Sequence, residues 1–448
     1  MSARRREQRS WYFYDWANSA YVTTIATVLL APYLTAVATQ AACPGLPDDV
    51  DCDTNLSVLG LPVSPGSLVF YAATFSTIVS ALLLPLVGAV ADRSAHQKRI
   101  LAGFAWAGSL AACCLWFVQG TNWQLGVGLL IVANLCLASS LVVYDAILCQ
   151  IAEPNERDGV SSRGWALGYL GGFILLAVNL GFVTAHDALG LTEGEAVRWS
   201  LLSAGLWWAA FTLVPYLGLR DRAPVNPTPV TGSLGREAFA QLASTFRHLR
   251  GYPQTLTFLL AYLFFHDGIQ TVIGVSSVYG ANQLGFSTTQ LIITILLVQV
   301  VAFGGALAFG RLAQRYGARD VVLWSLLVWA LVVAIGFFLP AGRFGLWLAL
   351  AVLIGVVLGG SQALSRSLYS HLVPRGREAE YFSLYQACER GTSWFGTLLF
   401  GLVHQITDSY RPAILALIVF FALGAFFLRR VDVRQGIADA GNVAPTRV

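Results

Sequence analysis

Gly88-Ala89-Val90-Ala91-Asp92-Arg93-Ser94-Ala95-His96-Gln97-Lys98-Arg99 has a partner further along the chain, Gly310-Arg311-Leu312-Ala313-Gln314-Arg315-Tyr316-Gly317-Ala318-Arg319. The two glycines are 222 residues apart. In both stretches a polar residue and an arginine follow the glycine at the fourth and fifth positions, and a basic cluster follows those. A second pair keeps nearly the same offset: Pro154 and Arg157 against Pro374 and Arg377, 220 residues apart. Two matches at one offset indicate a chain built of two parallel repeats, with a binding site expected between them.

The rest of the chain says what the repeats are made of. Of 448 residues, 56% are hydrophobic and 12% are charged, where soluble domains carry about 25% charged residues. Such a chain cannot cover itself with polar surface, so lipid is its expected solvent. A helix needs about 20 apolar residues to cross about 30 Å of hydrocarbon. Spans are expected near 11–38, 67–91, 99–118, 123–149, 162–184, 198–218, 254–280, 288–311, 320–339, 344–372, 381–404 and 410–428. The fold class is therefore an all-α polytopic membrane protein of about twelve transmembrane helices in two pseudo-symmetric six-helix halves. The expected units are a first half at 1–218, a cytoplasmic linker at 219–253, a second half at 254–428 and a cytoplasmic tail at 429–448. Arg4-Arg5-Arg6 leads straight into a full-length span, so no cleavable leader is expected.

Lys and Arg fix the expected orientation. With the N-terminus inside, only Arg198, Arg343 and Arg411 of the 28 Lys and Arg fall outside. Both ends are thus expected in the cytoplasm. The arginines sit at helix ends, which gives no reason to expect a nucleic-acid partner. Arginine-rich, lysine-poor composition points to a bacterial plasma membrane. The outer loop at 39–66 has no Lys or Arg and holds Cys43 and Cys52, the cysteines that face the oxidising side. A disulfide between them is expected, with two free thiols as the alternative. In the linker, Phe239, Leu242, Phe246 and Leu249 share one helical face, the pattern of a helix lying on the inner membrane surface.

The first loop resembles the signature of the major facilitator superfamily. Tyr14-Asp15-Trp16-Ala17-Asn18-Ser19-Ala20-Tyr21 in the first span is similar to the hallmark of the vacuole-effluxer-like family, named for a fungal vacuolar amino-acid exporter linked to autophagy. Gly164-Trp165-Ala166-Leu167-Gly168-Tyr169-Leu170-Gly171-Gly172, Asp267-Gly268-Ile269-Gln270-Thr271 and Gly359-Gly360-Ser361-Gln362-Ala363-Leu364-Ser365-Arg366-Ser367 resemble its fifth-, seventh- and tenth-span motifs. Asp145 and the Glu389-Arg390 pair depart from the family pattern. The resemblance implies a major facilitator fold and alternating-access export of a small polar metabolite, with amino acids as the class.

An ionisable group inside a span is costly and marks a functional candidate. Asp267, near mid-bilayer, is the expected proton-coupling residue, assisted by His266, with Gln270 a turn beyond. Asp15, Asn18, Gln362 and Arg366 complete the candidate substrate and coupling set. Asp15 can equally pair with an arginine at the inner rim, and each amide can serve as an interhelical bond. Asp92 and Arg93 are expected at an inner latch, with Asp92 accepting bonds from a neighbouring helix N-terminus. Asp145 and Arg366 stand 221 residues apart, the repeat offset, and Glu389 and Arg390 enter the eleventh span at similar depth. An inner gate is expected in which Asp145 pairs with Arg366 or Arg390; the alternative is that each charge is satisfied within its own half. Trp106, Trp116, Trp207, Trp208, Trp324 and Trp347 are expected at lipid or interface.

No Gly-x-x-x-x-Gly-Lys-Ser/Thr loop, paired zinc-ligand spacing or Gly-x-Ser-x-Gly elbow occurs. An enzyme, a metal and a bound cofactor are therefore not expected. The partners expected are a small-molecule substrate, lipid and a coupling proton, on a monomer. The competing class is a transporter-fold sensor that binds solute without moving it.

Overall fold

The computed structural model describes residues 3–45, 52–58, 60–225, 244–245, 247–391 and 393–447. Its first half holds α1 (Ala3–Ala42), α2 (Leu68–Arg93), α3 (Gln97–Cys114), α4 (Trp123–Ile151), α5 (Arg157–Thr184) and α6 (Glu193–Gly218). The second holds α7 (Pro253–Asn282), α8 (Thr288–Tyr316), α9 (Ala318–Phe338) and α10 (Phe344–Leu372). It continues with α11 (Glu378–Gly391), α12 (Ser393–Thr407) and α13 (Tyr410–Arg430). A short α14 (Val433–Asp439) follows in the segment expected as a tail.

Among the described residues, eleven helices are long and apolar enough to span a bilayer, with mean hydropathy from 1.4 to 2.6. Lipid offers no hydrogen bonds, so the backbone satisfies itself within each helix. Over the expected span at 381–404 the structure describes α11 and α12, and residue 392 between them lies outside the described residues. The described part α11 carries Glu378, Glu380, Gln386, Glu389 and Arg390. Among the described residues, the one β element is a hairpin between α1 and α2, β1 (Leu56–Val58) with β2 (Leu61–Val63), with Gly60 before β2 at φ 84°. Cys43 and Cys52 are joined by a disulfide with Cα atoms 6.1 Å apart. Of the residues on the expected linker face, Leu249 is buried and Phe239, Leu242 and Phe246 lie outside the described residues.

Within the first half, α1 packs on α5 and α6, and α3 packs on α4 and α6. Within the second, α8 packs on α10 and α7 packs on α13. The halves meet through α5 with α8 and α10, and through α2 and α4 with α11. The face bearing the N-terminus is here called the N-side. There the halves touch; toward the other side they part around a cavity.

Small residues make the contacts possible. A Cβ on Gly88 would sit 2.5 Å from the Ala379 carbonyl, so this glycine lets α11 start directly on α2. Gly310, its repeat partner, lies against Ser162 of α5 in the same way. Trp208 and Trp347, expected at lipid, are instead buried, at 0% and 4% exposure. Trp347 donates to Thr294 Oγ1 at 3.0 Å. Its indole N–H has a buried partner, which removes the reason for it to seek the interface.

Candidate functional site

The cavity between the halves measures about 750 Å³. Its walls are mostly aliphatic and hydroxylic, from Val22, Thr27 and Leu137 of the first half and Ile273, Thr294 and Ile354 of the second. All its charge is at the N-side end: Asp15, Asp145, Arg366, Glu389 and Arg390.

Arg366 of α10 is the centre of that floor. Its Nη2 donates to Asp15 Oδ2 at 3.0 Å and its Nη1 to Asp145 Oδ1 at 3.2 Å. Its Nε donates to Ser161 Oγ at 3.0 Å, and Nη2 also reaches the Ser161 carbonyl at 3.1 Å. Every one of these acceptors belongs to the first half. The guanidinium also lies over the rings of Trp11, Tyr144 and Trp165, at 4.9, 5.3 and 5.4 Å from their centroids. Arg366 is 2% exposed and Asp145 1%. Burying three charges is expensive, and what holds them is the full set of hydrogen bonds on the guanidinium fork. Tyr144 adds a bond to Asp15 Oδ2 at 2.7 Å, and Gln386 of α11 adds one to Asp145 Oδ2 at 2.8 Å.

The glycines of 164–172 make room for this network. A Cβ on Gly164 would stand 2.6 Å from Asp15 Oδ2 and 3.1 Å from Arg366 Nη2. Gly168, Gly171 and Gly172 let α5 lie on Ser19, Trp16 and Thr23 of α1. The residues of α1 beside them, Tyr21–Leu29, form a π-helical segment that faces the cavity, a conformation frequent at functional sites. Within it Thr23 accepts a bond from Gln299 of α8 at 3.3 Å, a further contact between the halves.

The model of the family described as vacuole effluxer Atg22 like matches residues 3–441. The chain belongs to that family. It is 28% identical over 425 residues to an MFS-type transporter, YxiO, of Bacillus subtilis (strain 168), covering 94% of both chains. It is 26% identical over 460 residues to autophagy-related protein 22-1 of Phaeosphaeria nodorum (strain SN15), covering 87% of this chain and 80% of that one. Its fold is that of major facilitator transporters. A bacterial homologue of the iron transporter ferroportin, crystallised in an outward-facing state, superposes with a TM-score of 0.69 at 14% identity. The superposition covers 96% of this chain and 99% of that one.

The remaining candidates fall into three places in this effluxer-like fold. On the cavity wall are Asn18, His266, Gln270, Gln362, Glu389 and Arg390. Asn18 turns its amide to the Tyr14 carbonyl at 2.6 Å, and Gln270 meets His266 Nε2 at 3.2 Å. Glu389 accepts from Tyr262 at 3.1 Å and from Gln386 at 3.4 Å. On the N-side rim, Asp92 accepts the amides of Ala379 and Glu380, both at 2.8 Å, at the first turn of α11. Arg93 is half-buried and enters no ion pair among the described residues. Asp267 is elsewhere. It is fully buried inside the second half, off the cavity wall, and its Oδ2 accepts the Gly396 amide of α12 at 2.9 Å. Its depth in the span matches the sequence reading, but its direction does not: it faces α12 and not the cavity. Asp15, with Arg9 nearby in sequence, pairs across the halves with Arg366.

Sequence reading passed over Ser161, Tyr144 and Gln386. Ser161 and Tyr144 carry no signal, since a lone hydroxyl in a span is common. Gln386 had one: it precedes Glu389 by three residues, so both lie on one face of α11.

Proposed function

We propose that the protein is a secondary transporter that exports small zwitterionic metabolites, neutral amino acids foremost, across the membrane by alternating access. The N-side faces the cytoplasm, as the distribution of arginine supports. The state described is then open to the outside and shut to the cytoplasm by the Arg366 network, the Asp92 cap and the α5–α8 contact.

One observation carries the substrate reading. Arg366 is saturated by Asp15, Asp145 and Ser161, whereas Arg390, half-buried on the cavity wall, forms no ion pair among the described residues and its Nε has no hydrogen-bond partner. An unspent guanidinium fork suits a carboxylate. Aliphatic walls above it suit an uncharged side chain. Transport then runs by exchange of partners: the inner face opens when Arg366 leaves Asp145.

Counterflow of labelled leucine in proteoliposomes tests the reading. Counterflow is expected for the wild type, and in Arg390→Gln the apparent affinity is expected to fall at least tenfold. A solute that shifts the melting temperature yet shows no counterflow would mark a sensor instead. Orientation is checked separately: a cysteine placed at Ala444 stays unlabelled by an impermeant reagent in intact cells.

A further inference from the structure

The cavity floor is unbalanced. Three carboxylates, Asp15, Asp145 and Glu389, face two guanidiniums, Arg366 and Arg390. While the cavity is open, water compensates the excess. Alternating access requires that it close on both sides, and an uncompensated buried charge is then costly. A zwitterionic substrate adds no net charge and does not correct this.

A second, independent observation points to the same place. Gln386 is 2% exposed and lines the cavity. Its Nε2 donates to Asp145 Oδ2 at 2.8 Å and to Glu389 Oε2 at 3.4 Å. Two carboxylates fix the amide with its nitrogen toward them, because an amide oxygen there would meet only acceptors. The amide oxygen Oε1 is thereby left without a donor. A buried acceptor with no donor calls for one.

We infer that the cavity binds one exchangeable proton on Glu389, which then pairs with the Gln386 carboxamide. The carboxylic acid and the amide form a cyclic pair: Nε2–H to the acid carbonyl, the acid O–H to Oε1. One proton from the outer solution removes the excess charge and supplies the missing donor, and it leaves to the inner solution when the inner face opens. Asp15 and Asp145 are poorer carriers, since protonating either removes a charge that holds Arg366. The groups around Glu389 are Tyr262 and His266 of α7, Asp145 of α4, Tyr169 of α5 and Arg366 of α10, with Tyr385 and Arg390 on its own helix. Of these, His266 is buried at 1% exposure with Gln270 on its Nε2. Gln386 also holds Asp145, so proton occupancy reaches the Arg366 lock through one side chain.

This rests on the transport reading above, and the test separates the two. Infrared difference spectra of the purified protein between acidic and alkaline buffer are expected to show a protonated-carboxyl band in the wild type that is lost in Glu389→Gln. In proteoliposomes with internal pyranine, leucine is expected to drive a proton signal. An imposed pH gradient, and not a sodium gradient, should change leucine uptake. In Glu389→Gln the ratio of gradient-driven to gradient-free uptake is expected to fall to about 1, and Glu389→Asp should restore part of it. Absence of leucine counterflow in the wild type would overturn the transport reading and leave the infrared result to judge the proton. A band that survives in Glu389→Gln, gradient dependence that survives in it, or wild-type counterflow driven by sodium with no proton signal would overturn the inference.

Discussion

Asp145 and Asp267 look alike in sequence, each a lone carboxylate well inside an apolar span, and the fold uses them oppositely. Asp145, on α4 of the first half, bonds to Arg366 and Gln386 of the second. Asp267, on α7, bonds to Gly396 of the same half. In alternating access the two halves rock as nearly rigid bodies. A bond between halves is then made and broken in every cycle, while a bond within a half is kept throughout. Removing the first kind should change which state is populated. Removing the second should lower the stability of both states together.

The largest effect is expected at Asp145. Asp145→Ala leaves Arg366 with Asp15 as its one acidic partner among the described residues, and stripping one partner from a buried pair costs about 3–5 kcal/mol. That cost falls on the inner-closed state alone, so the protein should shift to inward-open. A cysteine at Gln362, on the cavity wall, should become reactive from the N-side and lose reactivity from the other. The exchange Asp145→Arg with Arg366→Asp should restore closure only in part, because the new acid would also meet Asp15. Unchanged labelling from both sides would break the distinction between the two carboxylates.

Asp92 sharpens the comparison, because its repeat partner is Gln314. Asp92 receives two backbone amides from α11 across the halves. Bonds to a charged group contribute about 1.5–3 kcal/mol each, less where solvent reaches them. Gln314 occupies the matching corner beside Gly159 of α5, whose approach is already capped by the Glu153–Glu156 box. Asp92→Ala should therefore favour the inward-open state by about 2 kcal/mol in the same labelling assay, and Gln314→Ala by less than about 0.5. Equal shifts would mean that packing at Gly88 and Gly310, not the carboxylate, holds the rim.

Asp267→Ala is the counter-case. It leaves the Gly396 amide without its acceptor, at about 1–3 kcal/mol. The melting temperature should fall, while the ratio of labelling from the two sides should stay at the wild-type value. A changed ratio would show that α12 moves against α7 during the cycle.

The sequence carried the spans, the repeat and the identities of the charged residues, because each depends on the chain alone: hydropathy, offset and cost of burial. It did not carry direction. A helix has some 100° between successive side chains, so an uncertain span boundary leaves open whether Asp267 faces the cavity or α12. The 221-residue offset put Asp145 and Arg366 at matching depth in the two halves, but nothing in the chain placed Asp15 and Ser161 on the same guanidinium. Glu389 and Arg390 were legible as charges entering the eleventh span, and the reason for them, a floor shared with Gln386, needed the cavity.

A small effect is also expected where the C-terminal segment crosses the halves. After α14, Asn442 donates to the carbonyls of His371 and Val373 at 2.9 and 2.7 Å, which ties the segment to the end of α10. Four residues later, Thr446 reaches the first half: its N–H and its hydroxyl both donate to Asn155 Oδ1, at 2.7 and 2.6 Å. The strap therefore resists the same opening that Arg366 resists, at a site open to water. Exposed neutral bonds contribute about 0.5–1.5 kcal/mol at most, because water replaces them readily. Asn155→Ala should thus ease opening of the N-side by less than about 1 kcal/mol. It should do so additively with Asp145→Ala, since the two sites share no partner. Double-mutant labelling at Gln362 reads this directly. A shift larger than that of Asp145→Ala would place the main lock at the surface strap and not at the buried arginine.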